Sequence, residues 1–173
     1  MPSYFNVGKI VATFGLEGEM ILVHKLGRAD ALQGVDTLFV EMVRDSFLPY
    51  FPSSVRQKST EEVYLALEGV HTVEAARALL HKRVYLEEVL FREQTGPDST
   101  LYYLGFTVSD RKEGILGTVA EVVEMPSQLV VKVFQHGREL LIPLNESTLE
   151  KIDREASLIT VQLPEGLLDV YRQ

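Results

Sequence analysis

The 173-residue chain has no cysteine. That excludes disulfides, thiolate metal sites and cysteine nucleophiles, and it fits a reducing compartment. No apolar run approaches the roughly 20 residues of a membrane span, and the opening "MPSYFNVGK" lacks the apolar core of a secretory signal. A soluble cytoplasmic protein without a membrane role is expected, and the glycosylation sequon "NES" at Asn145 is then accidental. Positive charge is scarce as well. There are 17 Lys+Arg against 25 Asp+Glu, a net charge of −8. The deficit is shared: residues 1–91 carry 9 cations and 12 carboxylates, and residues 92–173 carry 8 and 13. Nucleic-acid binders draw affinity from neutralising phosphates, and a chain acidic in both halves is poorly suited to that as its main source. The acidity serves either solubility or the recognition of a basic protein partner.

Catalytic and cofactor signatures are also missing. In "VGKIVATFGLEGEM", Val7–Met20, the glycines have neither P-loop nor dinucleotide spacing, and no strand-to-helix context follows. "GLEG" matches the bare GXXG of a KH loop, but Glu17 and Glu19 would repel a phosphate backbone. The simpler reading is a hairpin in which Gly15 and Gly18 reverse the chain, with Gly8 as a third structural glycine. His24, His71, His81 and His136 are scattered, form no metal-ligand spacing and read as surface residues. No serine sits in a nucleophile elbow, and the paired carboxylates Glu61-Glu62 and Glu87-Glu88 read as solvated. No catalytic residue, metal or cofactor is expected.

What is present is a series of short β-type runs rich in Val, Ile and Leu. "GKIVAT", "MILVH", "TLFVEMV", "SVRQKS" and "VYLALE" precede a polar break at "FREQTGPDST", Phe91–Thr100. "GTVAEVVE", "LVVKVF", "ELLIPL" and "LITVQL" follow it, with His136-Gly137 as a hairpin turn. Two helices are expected. One runs from about Val73 to Leu80, capped by Thr72, and the other, a shorter helix or helical turn, covers Asn145–Asp153, capped by Asn145. This pattern predicts a mainly β protein of two small barrels, residues 1–91 and 101–173, joined by a linker at 92–100. In "TLYYLGF", Thr100–Phe106, an extended backbone would send Tyr102 and Tyr103 to opposite faces. The segment then serves either inter-domain packing or, with Tyr102, Tyr103 and Phe106 as anchors, a protein-binding surface.

Three stretches spanning nearly the whole chain resemble the RimM family of bacterial ribosome maturation factors. They are "VGKIVATFGLEGEM", "EGVHTVEAARALLHKRVYL", and the run from "GILGTVAEVVEMPSQLVVKV" through "GRELLIPLNESTLEKID" to "ITVQLPEGLLDVY". The last is the most specific, because "LLIP", an acidic turn and "LPEGLLD" form a distinctive combination. Departures from the family pattern are Ala12 where a glycine is usual, Phe14 where a histidine is usual, and a shorter "YYLGF", in which Tyr102-Tyr103 either match the family's aromatic pair with a deletion or occupy the turn that follows it. The resemblance implies an N-terminal six-stranded barrel followed by a PRC barrel, and no enzymatic activity. It implies an accessory factor that binds the free 30S subunit and ribosomal protein S19, mainly through the PRC barrel; a monomer is expected, since no heptad run demands a dimer. Its role would be late assembly of the small-subunit head and maturation of 16S rRNA. The alternatives are a chaperone acting directly on rRNA and a small-molecule-binding β-barrel enzyme.

Overall fold

Alternation of buried and outward residues sets most of the strands. In a computed structural model that describes residues 3–173, two compact units form, one up to residue 102 and the other over 103–173. Unit 1 contains β1 (Tyr4–Phe14), β2 (Glu19–His24), β3 (Leu38–Val43), β4 (Ser46–Tyr50), β5 (Pro52–Gln57) and β6 (Glu62–Leu67). Helix α1 (Val73–Arg77), strand β7 (Arg83–Glu87) and helix α2 (Glu88–Gln94) complete it. Met20 and Leu22 of β2, Val63 and Leu65 of β6 and Val84 and Leu86 of β7 point inward at period two and form the core. The strand order is β4-β3-β7-β1-β2-β6-β5. β4 and β5 stand at opposite ends of that order, yet only Phe51 separates them in the chain. One bent segment therefore supplies both edges, and the sheet comes round on itself as a barrel of six strands with one of them kinked.

Three local features differ from the sequence reading. Helix α1 starts at the Thr72 cap, whose hydroxyl accepts the Ala75 N–H at 3.1 Å, but it ends at Arg77 rather than Leu80. Residues 79–82 tighten into i→i+3 turns, and His81, at φ 66°, donates its N–H to Ile10 O at 2.8 Å. The region read as a linker is helical to Gln94, because Phe91 is an apolar anchor: it is buried and stacks on Phe5 with ring centres 4.6 Å apart. Beyond it, the Gly96 N–H donates to Leu26 O at 2.7 Å and the Ser99 hydroxyl donates to Lys25 O. Finally, His24 is not a surface residue but 1% exposed, with its Nδ1 accepting the Leu26 N–H at 3.2 Å. Burial lowers its pKa, against an opposing pull from Glu61, so it is held as a neutral acceptor.

Unit 2 contains β8 (Thr107–Asp110), β9 (Gly114–Met125), β10 (Gln128–Gln135), β11 (Arg138–Leu144), β12 (Leu149–Asp153), β13 (Leu158–Val161) and helix α3 (Asp169–Arg172). The order is β11-β10-β9-β8-β13-β12, with β8 and β13 parallel and the other pairs antiparallel. The first part of β9 pairs with β8 and the rest with β10, so this long strand bends through both halves of the sheet. The β10–β11 hairpin turns on His136 and Gly137, both at positive φ. The two edge strands, β11 and β12, are again consecutive in the chain. Between them the expected helix or helical turn is a single turn, closed by the Leu149 N–H donating to Asn145 O at 2.9 Å. The Asn145 side chain accepts the N–H groups of Ser147 and Thr148 at 2.8 and 3.1 Å, and residues 149–153 are strand. Asparagine caps helices and builds such turns by the same bond, and here pairing with β13 decides between them.

The glycines of the opening hairpin do different work. Phe14 pairs with Glu19, and Gly15 and Gly18 of the intervening turn have φ of 68° and 89°. Gly8 lies inside β1 opposite His24, where an added Cβ would stand 2.1 Å from Val23 O. Gly8→Ala forces β1 away from β2 and is expected to destabilise the protein by about 3 kcal/mol, the upper end for overpacking. Gly15→Ala meets open space and bears only the left-handed backbone cost of about 1 kcal/mol. Denaturant unfolding of the two variants checks the order, and equal losses would refute it.

Candidate functional site

The tyrosine segment is not extended. Thr100–Tyr103 form a 3-10 helix, so alternation between faces does not apply. The Tyr102 N–H donates to Ser99 O at 3.1 Å, and its carbonyl accepts from Arg92 Nη1 at 3.2 Å. Tyr102 and Tyr103 are half-buried, and the Tyr103 ring meets Phe106 edge-on at 5.7 Å. Phe106 is only 2% exposed. It fills the core of unit 2 and has no surface to offer a partner, which removes it as a contact residue.

A different part of unit 2 exposes apolar surface. On the outer side of β9, β10 and β11, Val130 stands between Val123 and Pro143, and Lys132 between Glu121 and Leu141. Phe134, 52% exposed, lies opposite Glu139. Leu141, diagonal to it, and Val123, opposite Val130 further along β10, are also exposed. Lys132 reaches Glu121 at 2.8 Å and Glu139 at 3.6 Å, so two carboxylates share one ammonium. Both carboxylates raise the Lys132 pKa, chiefly through the bond to Glu121. The face thus combines large apolar side chains with an excess of negative charge, which suits a basic protein with an apolar contact of its own. Sequence reasoning missed it, although the alternation in "LVVKVF" already puts Val130, Lys132 and Phe134 on one side.

The motif "LPEGLLD" is held by one carboxylate. Asp110, 5% exposed, accepts the N–H groups of Lys112 and Glu113 on Oδ1, both at 2.9 Å, and that of Leu163 on Oδ2 at 3.0 Å. Around it, Glu113, Glu165 and Asp169 border a hollow of about 340 Å³, with Lys112 on Glu165 at 3.1 Å and Arg172 on Glu113 at 2.8 Å. No group of three or more His, Asp or Glu that could hold a metal occurs among the described residues. None of their helices is long and apolar enough to cross a membrane.

Comparison with known proteins decides the family. Residues 5–90 match the model of the RimM N-terminal domain, and residues 102–167 match that of the RimM PRC barrel domain. The chain belongs to the RimM family. A ribosome maturation factor RimM of Parabacteroides distasonis is 32% identical over 169 residues, covering 96% of both chains. That of Bacteroides fragilis is 34% identical over 171 residues, 96% of this chain and 92% of its own. Among solved structures, that of a RimM from Pseudomonas aeruginosa covers 94% of this chain and 98% of its own at 21% identity, with a TM-score of 0.45.

The Asp110 clamp is titratable. Burial alone would raise its pKa, but the N–H groups of Leu163, Glu113 and Lys112 together outweigh that and hold it below the ordinary 3.8. Because the native value is the lower one, the stabilisation is complete above 3.8 and is lost as pH falls through the native value. Asp110→Ala leaves three N–H groups without their acceptor and is expected to cost about 2–3 kcal/mol at neutral pH. Unfolding curves between neutral pH and the acid limit check both points. The gap between wild type and variant should narrow at the acid end, and a constant gap would contradict the assignment.

Proposed function

We propose that this chain is a non-enzymatic ribosome maturation factor that binds the free 30S subunit through ribosomal protein S19. In that role it assists assembly of the small-subunit head and maturation of 16S rRNA. The observation that carries this reading is membership of the RimM family across both units, together with the relatives' name, ribosome maturation factor. The outer face of β9–β11 supplies a physical basis. Phe134 and Leu141 supply apolar surface, with Val123 further along the same face, and Glu121 and Glu139 give the negative charge that suits a basic ribosomal protein. Tyr102 and Tyr103, both half-buried, are kept as further anchors. The factor binds the head protein while its native RNA contacts are still forming, and it leaves when they displace it.

Calorimetric titration of the full chain with purified S19, at low and moderate salt, tests this reading. Binding should weaken as salt rises. Phe134→Ala, if Phe134 is a central anchor, should cost about 2 kcal/mol, a roughly thirtyfold loss of affinity. The double variant Tyr102→Ala/Tyr103→Ala measures the tyrosines separately. Unchanged binding in both folded variants would discard these anchors, and no binding by wild type would discard the S19 partnership.

A further inference from the structure

The cations of unit 1 are unevenly distributed. On the outer side of the sheet, Lys9 of β1 stands between Val23 of β2 and Arg83 of β7 in the strand register. Lys25 follows directly after β2, with its N–H donated to Val7 O at 3.2 Å. All three side chains are exposed, and none joins an ion pair among the described residues. Elsewhere, Arg28, Arg56 and Lys58 each hold a carboxylate. Like charges directly opposite in a β-ladder destabilise it, so the Lys9–Arg83 pair works against the fold. Together with Lys25 they border a groove of about 330 Å³ with a mostly apolar lining, including Val11, Val23 and Leu101, and with no carboxylate in its wall. Two residues along β7 from Arg83, Tyr85 belongs to an outward aromatic group. Its ring is 4.7 Å from Phe47, and Tyr4 packs on Phe47 and Phe39 at 4.9 and 4.7 Å.

We infer that this groove binds single-stranded RNA, with backbone phosphates on Lys9, Lys25 and Arg83 and a base against the apolar floor. The inference rests on the ribosomal role proposed above, because that role supplies an RNA at the site of action. Three unpaired cations around a carboxylate-free hollow complement a polyanion, and they do so within a chain whose net charge is −8. The apolar floor favours RNA over an acidic peptide, since a nucleobase presents a large apolar face between charged groups and a run of carboxylates does not. Single-stranded RNA is favoured over a duplex, whose bases are stacked away from such a groove.

Fluorescence anisotropy of the full chain with a labelled oligouridylate of twelve nucleotides tests the proposal. Three phosphate contacts predict a slope of about −2 in a plot of log affinity against log salt, a roughly twentyfold loss for a fourfold rise in salt. The triple variant Lys9→Gln/Lys25→Gln/Arg83→Gln should lose at least about tenfold in affinity and flatten the slope. Its melting temperature should equal or exceed that of the wild type, because the opposed cations are gone; the single variant Arg83→Gln is the control if it does not. No binding by the wild type, or unchanged binding by the folded variants, overturns the proposal. Binding of a polyglutamate peptide as tight as that of RNA, and lost in the same variants, overturns it in favour of an acidic protein partner. S19 titrated against the triple variant separates the two readings. Retained S19 binding with RNA binding lost supports the groove alone, and loss of S19 with RNA retained places the partner protein here instead.

Discussion

A sheet ends at two edges, and each edge carries backbone groups that must find partners or face water. Both units meet this constraint with one short piece of chain. In unit 1, Phe51 is the only residue between the strand that pairs with β3 and the strand that pairs with β6. In unit 2, the turn at residues 145–148 does the same for β11 and β12. Closure curves each sheet, and curvature puts Phe106, Ile142, Leu22 and Leu65 inside at the density of a core. It also fixes which side chains stand outside together. The row of Val123, Val130 and Pro143 and the row of Val23, Lys9 and Arg83 are products of register. A slip of one residue in β1 would turn Lys9 toward the core.

Much of this is legible before any coordinates. "EMILVH" and "EVYLAL" alternate so strictly that their inward residues can be read directly, and His136-Gly137 announces its hairpin. The errors fall where one local signal serves two structures. Asn145 bonds the N–H groups two and three residues ahead, as it would at a helix start, and only the partner strand shows that no helix follows. Phe91 sits in a polar stretch that looks like a connector, and its stacking on Phe5, far away in sequence, is a tertiary fact. The same limit applies to the candidate surfaces. The adjacent Tyr102 and Tyr103 attract attention as a pair, whereas Phe134 belongs to a surface assembled from three strands.

Charge shows the difference between a total and a distribution. A net −8 argues against nucleic acid as a whole-chain partner, yet ion pairing within the fold uses some cations and leaves others. Arg56 lies on Glu19 and Lys58 on Glu62, while Lys9, Lys25 and Arg83 gather where no carboxylate lines the wall. Unit 2 has the opposite arrangement, with Lys132 outnumbered between Glu121 and Glu139. Both halves of the chain are net acidic, so the contrast is local: a basic groove on one unit and an acidic face on the other.

The stitch between residues 25–26 and 96–99 also bears on how the chain comes off the ribosome that makes it. β1, the first strand synthesised, waits for β7, since Tyr4 pairs with Glu87 and Lys9 with Arg83. The bonds from Gly96 to Leu26 and from Ser99 to Lys25 come later still. The amino-terminal barrel therefore cannot be completed piecemeal during translation. Its opening hairpin has to remain unpaired on one side until nearly the whole unit has emerged, and only then can it close, in a single late step, around its first strand.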